Sequence, residues 1–215
     1  MKLYGYWRSS AAYRVRIALN LKGVNYEQES VHLVKDGGQQ FSASYTELNP
    51  AQLIPTLVDG DLVINQSMAI LGYIENRYPT PPLLPENYAE RAQVLALAYD
   101  IACDIHPLCN LRIQKYITGE LNANESQKLN WIHQWIGKGF SSLEIRAKQY
   151  GSKGAFLFGD KLTLADVVLV PQIYNALRFK LDMNRYPILN SIWEHCNTLG
   201  AFDKALPENQ SDAVG

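Results

Sequence analysis

The stretch Arg8-Ser9-Ser10 lies where a short apolar run, Leu3-Tyr4-Gly5-Tyr6-Trp7, hands over to a helical pattern. A helix start offers free backbone N–H groups and the positive end of the helix dipole, so negative charge is favoured there. A serine hydroxyl at that point has two uses: it caps the helix, or it donates a hydrogen bond to a bound thiolate. It is no nucleophile, because no neighbouring residue supplies a base and the chain has no G-x-S-x-G elbow. His106, just before Pro107, and Asn110, one turn further on, are a second group with chemical potential. Read alone, His106 is a structural histidine, Ser67 is a helix cap, Gln39-Gln40 is a polar helix start, and Arg14 and Arg16 are solvated or salt-bridged.

The elements that must hold these residues follow from periodicity. After the strand-like Leu3–Trp7 run, Ser10–Lys22 carries Val15, Ala18, Leu19 and Lys22 at helical spacing, and Gly23 stops it. Tyr26–Val34 reads as strand, and Phe41–Leu48 as one irregular helix ended by Asn49-Pro50. Ile54–Val58 and Leu62–Ile64 flank Asp59-Gly60-Asp61, a hairpin signal, and Gln66–Arg77 is helical. The sum is β-α-β-α-β-β-α, a small α/β domain assigned to residues 1–80. Pro79-Thr80-Pro81-Pro82 is a stiff break. Beyond it only helices are predicted, in a second domain over 87–215. One helical stripe runs Val94, Leu97, Ala98, Ile101, Ala102 and Ile105, interrupted by Pro107; another runs Leu129, Ile132, Ile136 and Leu143. Leu162-Thr163-Leu164-Ala165-Asp166-Val167 reads as a capping box with a hydrophobic staple, which concerns fold and not function.

Composition narrows the possibilities. The 215 residues are 47% hydrophobic and 19% charged, a globular balance with room for two cores. Net charge is −1, which argues against nucleic acid or an anionic membrane as partner. Cys103, Cys109 and Cys196 form neither a disulfide framework nor a metal site, and fit a reducing, cytoplasmic compartment with buried structural thiols as the default. No secretory leader is read at the start, and no run approaches the ~18 apolar residues of a membrane span.

Arg8-Ser9-Ser10-Ala11-Ala12-Tyr13-Arg14-Val15-Arg16-Ile17-Ala18-Leu19 resembles the first-helix motif of zeta-class glutathione transferases. The similarity continues through Gln39-Gln40-Phe41, Leu48-Asn49-Pro50, Ile54-Pro55-Thr56-Leu57 and Gln66-Ser67. It then runs through Asp104-Ile105-His106-Pro107, Thr163-Leu164-Ala165-Asp166, Leu169-Val170-Pro171-Gln172 and Arg178-Phe179-Lys180-Leu181-Asp182. It covers nearly the whole chain, in order. One departure is Ala11, where the family shows cysteine after Ser-Ser.

The resemblance implies a thioredoxin-like N-terminal domain and an all-helical C-terminal domain. It implies glutathione as cofactor and a homodimer. Glutathione's cysteinyl part would pair with the Ile54 backbone ahead of a cis Pro55. Gln66 and Ser67 would hold the γ-glutamyl carboxylate, Gln40 would reach the glycyl end, and Arg14, His106 and Asn110 would join the cofactor site. Ser9, with Ser10 sharing the role, would activate the thiol; Tyr6 is the rival, since other transferase classes use a first-strand tyrosine. A free thiol titrates near ~8.5, and lowering it by ~2 units requires ~2.7 kcal/mol. One hydrogen bond to a charged sulfur gives ~1.5–3 kcal/mol and a helix end ~0.3–1, which together suffice. Arg8, Arg112 and Arg178 would hold a dicarboxylate substrate. The implied activity is glutathione-dependent cis–trans isomerisation of maleylacetoacetate to fumarylacetoacetate in phenylalanine and tyrosine breakdown. The alternatives are isomerisation of maleylpyruvate, or conjugation of glutathione to α-halo acids.

Overall fold

A computed structural model describes residues 1–213. The chain divides into two compact units, one of residues 1–82 together with 198 onward, the other of 83–197.

The first unit is built on a four-stranded sheet in the order β2-β1-β3-β4. Strand β1 (Lys2–Gly5) leads to helix α1 (Ser10–Leu21) and then to β2 (Glu27–Ser30), parallel to β1 with Lys2 opposite Glu27. A 3₁₀ turn at Gln39–Phe41 and helix α2 (Ala43–Leu48) bring the chain to β3 (Thr56–Asp59), antiparallel to β1. The expected hairpin joins β3 to β4 (Leu62–Asn65), with Gly60 at φ 61°, a conformation that favours glycine. Helix α3 (Ser67–Arg77) completes the β-α-β-α-β-β-α order that the sequence predicts.

Element ends differ from expectation for local reasons. The first strand stops at Gly5, not Trp7, because Tyr6–Ser9 close a turn with the Ser9 N–H donating to the Tyr6 carbonyl at 2.9 Å. The second strand is Glu27–Ser30 only. The helix read over Phe41–Leu48 breaks at Ser42, whose hydroxyl caps α2 by accepting from the Tyr45 N–H at 3.3 Å.

Helix α1 buries Ala12, Tyr13, Val15, Ile17, Ala18 and Leu19, with α3 packed beside it. Gly23, at φ 64°, terminates it, and the following Val24 N–H returns to the Leu19 carbonyl. The buried Lys22 ammonium ties α1 to α3 through the Glu75 carboxylate at 2.6 Å, and it also donates to the Pro81 carbonyl.

The second unit is helical, with no strand among its residues: α4 (Tyr88–Tyr99), α5 (Leu111–Gly119), α6 (Glu125–Gln149), α7 (Leu164–Arg178) and α8 (Pro187–Asn197). Pro107 interrupts the first long stripe as its missing N–H requires, giving a π-helical turn at Asp100–Ile105 and a 3₁₀ turn at His106–Cys109. Val94, Leu97, Ala98, Ile101 and Ile105 are buried, as are Ile132, Ile136 and Leu143 of α6. Thr163 and Asp166 form the predicted capping box at the start of α7.

Two expectations are corrected. The helical domain does not extend to residue 215: helix α9 (Gly200–Ala205) belongs to the first unit, where it packs on α1 and buries Phe202 and Ala205. The Asn20 side-chain amide donates to the Ala201 carbonyl at 3.0 Å, and Arg16 Nε to the Ala205 carbonyl at 3.1 Å. The second correction concerns membrane-span length. The helical run 88–119 is long and apolar enough by composition to cross a bilayer. It is broken at residues 100–109 by the π-helical and 3₁₀ turns.

Candidate functional site

Ser9 is the N-cap of α1, in extended conformation at φ −74° and ψ 116°. Its Oγ accepts from the Ala12 N–H at 3.3 Å, so one lone pair is spent on the helix. The hydroxyl proton has no acceptor among the described residues and remains available to an anion at the helix start. Ser10 is the first helical residue and is buried. The Arg8 guanidinium lies 5.0 Å from the Trp7 ring centroid and has no carboxylate partner among the described residues, leaving its fork for an external one. Tyr6 is buried, edge-on against His32 and Trp7.

The second helix start in this unit differs from the expected cap. Gln66, not Ser67, is the N-cap of α3, at φ 67°, a backbone region that non-glycine residues seldom occupy outside functional sites. Ser67 is the first helical residue, buried, and its Oγ accepts from Arg14 Nη1 at 3.2 Å. The structure thus joins Arg14 and Ser67 directly. Arg14 and Arg16 are each 1% exposed, so the solvated reading of both is overturned. A guanidinium at such burial persists where polar groups satisfy it, and both have them.

Ile54 precedes the ladder of β3, and the Ile54–Pro55 peptide is cis. Residues that the sequence reading left without a role brace this corner. The Asn49 amide donates to the Leu53 carbonyl at 2.7 Å and to Thr56 Oγ1 at 3.2 Å. The Tyr45 hydroxyl donates to the same Leu53 carbonyl at 2.7 Å and lies 2.9 Å from Thr56 Oγ1. Burial pushes the Tyr45 phenol above its ordinary range, keeping it a neutral donor. Both residues on either side of Ile54-Pro55 are thereby pinned. The Asn49-Pro50 helix stop was the only sequence signal for it.

Gln40 is buried, and its Oε1 has no hydrogen-bond donor among the described residues. The side chain folds back on Gly38, at φ 118°, where an added Cβ would come within 2.7 Å of the amide. A buried amide oxygen without a donor is a place for a ligand N–H. The preceding loop is fixed by Gln39, whose N–H donates to the His32 carbonyl at 2.8 Å while its Oε1 accepts from the His32 N–H at 2.8 Å.

The remaining expected residues belong to the helical unit. His106 begins the 3₁₀ turn, and Asn110 caps α5 by accepting from the Ile113 N–H at 3.2 Å. They do not share one α-helical face, because the Pro107 break separates them. Arg112 is exposed on α5, with no hydrogen-bond or ion-pair partner among the described residues. Arg178 ends α7, where it stacks 4.3 Å from the Phe179 ring centroid and donates to Asn175 Oδ1 at 3.0 Å. Among the thiols, Cys109 and Cys196 are buried, and burial pushes Cys109 up to about 12 and Cys196 strongly upward. Cys103 is exposed, against the buried default.

Two helix starts, a half-free serine hydroxyl and a buried amide oxygen without a donor thus occur within one thioredoxin-like unit. Residues 1–76 match the family model for the glutathione S-transferase N-terminal domain, and residues 136–199 match that for the C-terminal domain. A probable maleylacetoacetate isomerase of Vibrio cholerae serotype O1 is 54% identical over 98% of this chain and 97% of its own. The chain belongs to the glutathione S-transferase family, in its zeta class. Among solved structures, a holo maleylpyruvate isomerase described as a bacterial zeta-class transferase aligns with a TM-score of 0.96 at 43% identity, covering 100% of both chains. A maleylacetoacetate isomerase from Methylobacterium extorquens AM1 with bound malonate and glutathione aligns at 0.94 and 36% identity, again over 100% of both. The thioredoxin-like and all-helical pairing predicted from the sequence is this transferase fold.

Proposed function

We propose that this zeta-class transferase is a glutathione-dependent cis–trans isomerase that converts maleylacetoacetate to fumarylacetoacetate. The observation that carries the reading is the open cap at Ser9, a helix-start hydroxyl that has spent an acceptor and kept its proton. The relatives named isomerases, one of them with glutathione and a dicarboxylate bound, supply the substrate class.

Glutathione, when bound, supplies the thiol that adds reversibly to the electron-poor double bond, so rotation needs no net consumption of thiol. This chain's own residues bind, orient and ionise. Ser9 donates to the sulfur, with Ser10 and the α1 start adding positive potential. Gln66 and Ser67, the latter braced by Arg14, take the γ-glutamyl carboxylate at the start of α3. The Ile54 main chain pairs with the cysteinyl part, and Gln40 accepts from the glycyl end. His106 and Asn110 are assigned to the same cofactor from the helical unit. Arg8, Arg112 and Arg178 are assigned to the substrate carboxylates. The reading includes a homodimer, a cytoplasmic location, a place in phenylalanine and tyrosine breakdown, and no nucleic-acid or membrane partner. Family membership and the net charge of −1 support those parts.

Maleylpyruvate is a second reading, favoured by the 0.96 TM-score to a maleylpyruvate isomerase over the full chain. The test is turnover of each substrate with sub-stoichiometric glutathione, following trans product and total thiol together. Many turnovers at constant thiol are expected with maleylacetoacetate. Depletion of thiol by α-halo acids without any trans product would overturn the isomerase reading.

A further inference from the structure

We infer that Asp212 is a positioning residue for Ser9, acting through the main chain of Trp7. Trp7 is the second residue of the Tyr6–Ser9 turn. In such a turn the closing hydrogen bond uses the first carbonyl and the last N–H, which leaves the second residue's N–H and C=O outside it. Here both are held by distant parts of the chain. The Trp7 N–H donates to Asp212 Oδ2 at 3.0 Å. The Trp7 carbonyl accepts from Arg16 Nη2 at 2.9 Å, and Arg16 Nε is anchored to the Ala205 carbonyl at 3.1 Å.

The Asp212 carboxylate is itself fixed. Its Oδ2 also accepts from the Ser30 hydroxyl at 2.8 Å, and its Oδ1 from Gln28 Nε2 at 3.1 Å. Gln28 and Ser30 belong to β2, in register with Leu3 and Gly5 of β1. One carboxylate therefore bonds β2 to the turn that follows β1. The Trp7 indole takes no part, since its buried N–H has no partner among the described residues. The peptide is what is clamped, and the next peptides carry Arg8 and Ser9. Charge-assisted bonds of this kind are about twice as strong as neutral ones, so the clamp resists rotation of the turn.

The inference rests on the reading that Ser9 faces the glutathione sulfur, and its test separates the two. Asp212→Ala and Asp212→Asn would be compared with the natural protein by three measurements. These are amide hydrogen exchange over Trp7–Ala12 in the free protein, glutathione affinity by calorimetry, and ionisation of the bound thiol by ultraviolet titration. For Asp212→Ala, exchange over Trp7–Ala12 is expected to speed up ~10-fold or more. The bound thiol pKa should rise by ~1 unit, with glutathione affinity at about pH 5, where the thiol stays protonated in both proteins, held within ~2-fold. Asp212→Asn keeps an acceptor for the Trp7 N–H and is expected to recover most of both effects. Unchanged exchange, or faster exchange with an unchanged thiol pKa, would overturn the positioning role. A natural protein that binds glutathione as thiolate yet turns over no cis substrate would remove the isomerase reading while leaving the clamp to be scored by the same titration.

Discussion

Helices α1, α2 and α7 each begin at a hydroxyl residue in extended conformation, and two of them, α1 at Ser9 and α7 at Thr163, use it in opposite ways. At Thr163 the cap is closed. The Asp166 carboxylate, 0% exposed, accepts from the Thr163 N–H at 2.7 Å, from its hydroxyl at 3.1 Å, and from the Leu157 N–H at 2.6 Å. The partners of that carboxylate all come from residues 157–166. At Ser9 the cap is open. The third helical residue is Ala12, which has no side chain to answer the cap, and the hydroxyl proton is kept for something outside the chain. The same local chemistry thus specifies fold where an acid stands three residues on, and leaves a donor for function where an alanine does.

The comparison can be broken most decisively at the open cap. Ser9→Ala should lower kcat/KM for isomerisation by ~10²–10³-fold, the loss typical of one donor to a developing or bound anion. The cap itself accounts for only ~1 kcal/mol of stability. Steady-state kinetics beside thermal unfolding measures both, and a rate within threefold of the natural protein would mean that the open cap is structural. Asp166→Ala should show the reverse pattern. It leaves buried N–H groups of Leu157 and Thr163 without an acceptor and should cost ~3 kcal/mol in denaturant unfolding. Activity per folded molecule should stay near normal; a stable variant with lost turnover would erase the division between the two caps.

The third effect, spread over a pH window, is no larger than the second. Burial pushes the Asp166 carboxyl from 3.8 up to about 6, against the downward pull of its N–H partners. The folded chain therefore holds this proton to higher pH than the unfolded chain does. The stabilisation is full below pH 3.8 and lost as pH rises through about 6. Relative to Asp166→Asn, which has no proton to release, unfolding free energy should fall by up to ~3 kcal/mol across that window. A difference between the two proteins that is flat with pH would refute the assignment.

Much of the architecture is legible in the residues, because short-range patterns produce it. Two apolar runs on either side of the Asp59-Gly60 turn mark the β3–β4 hairpin, helical spacing and Gly23 mark α1, and Thr163-x-x-Asp166 marks the closed cap. The Ser9 helix start is legible for the same reason. What is not legible depends on partners far along the chain. Arg14 and Arg16 look like surface charges until Ser67 and the carbonyls of Trp7 and Ala205 are seen to receive them. Asn49 looks like a helix stop until it is found bonded on both sides of Ile54-Pro55. Residues 198 onward look like one more helix of the second domain, because periodicity records that a face is apolar and not which face it will meet.

That last arrangement has a consequence during synthesis. The sheet and α1 emerge from the ribosome early, but α9, which buries Phe202 beside α1, is made only after all of residues 83–197. The first unit is thus translated first and finished last, while the uninterrupted helical unit can fold as it appears. The nascent chain must keep the flank of α1 that receives α9 uncovered for the whole of that interval, and that flank is where a chaperone would be most needed.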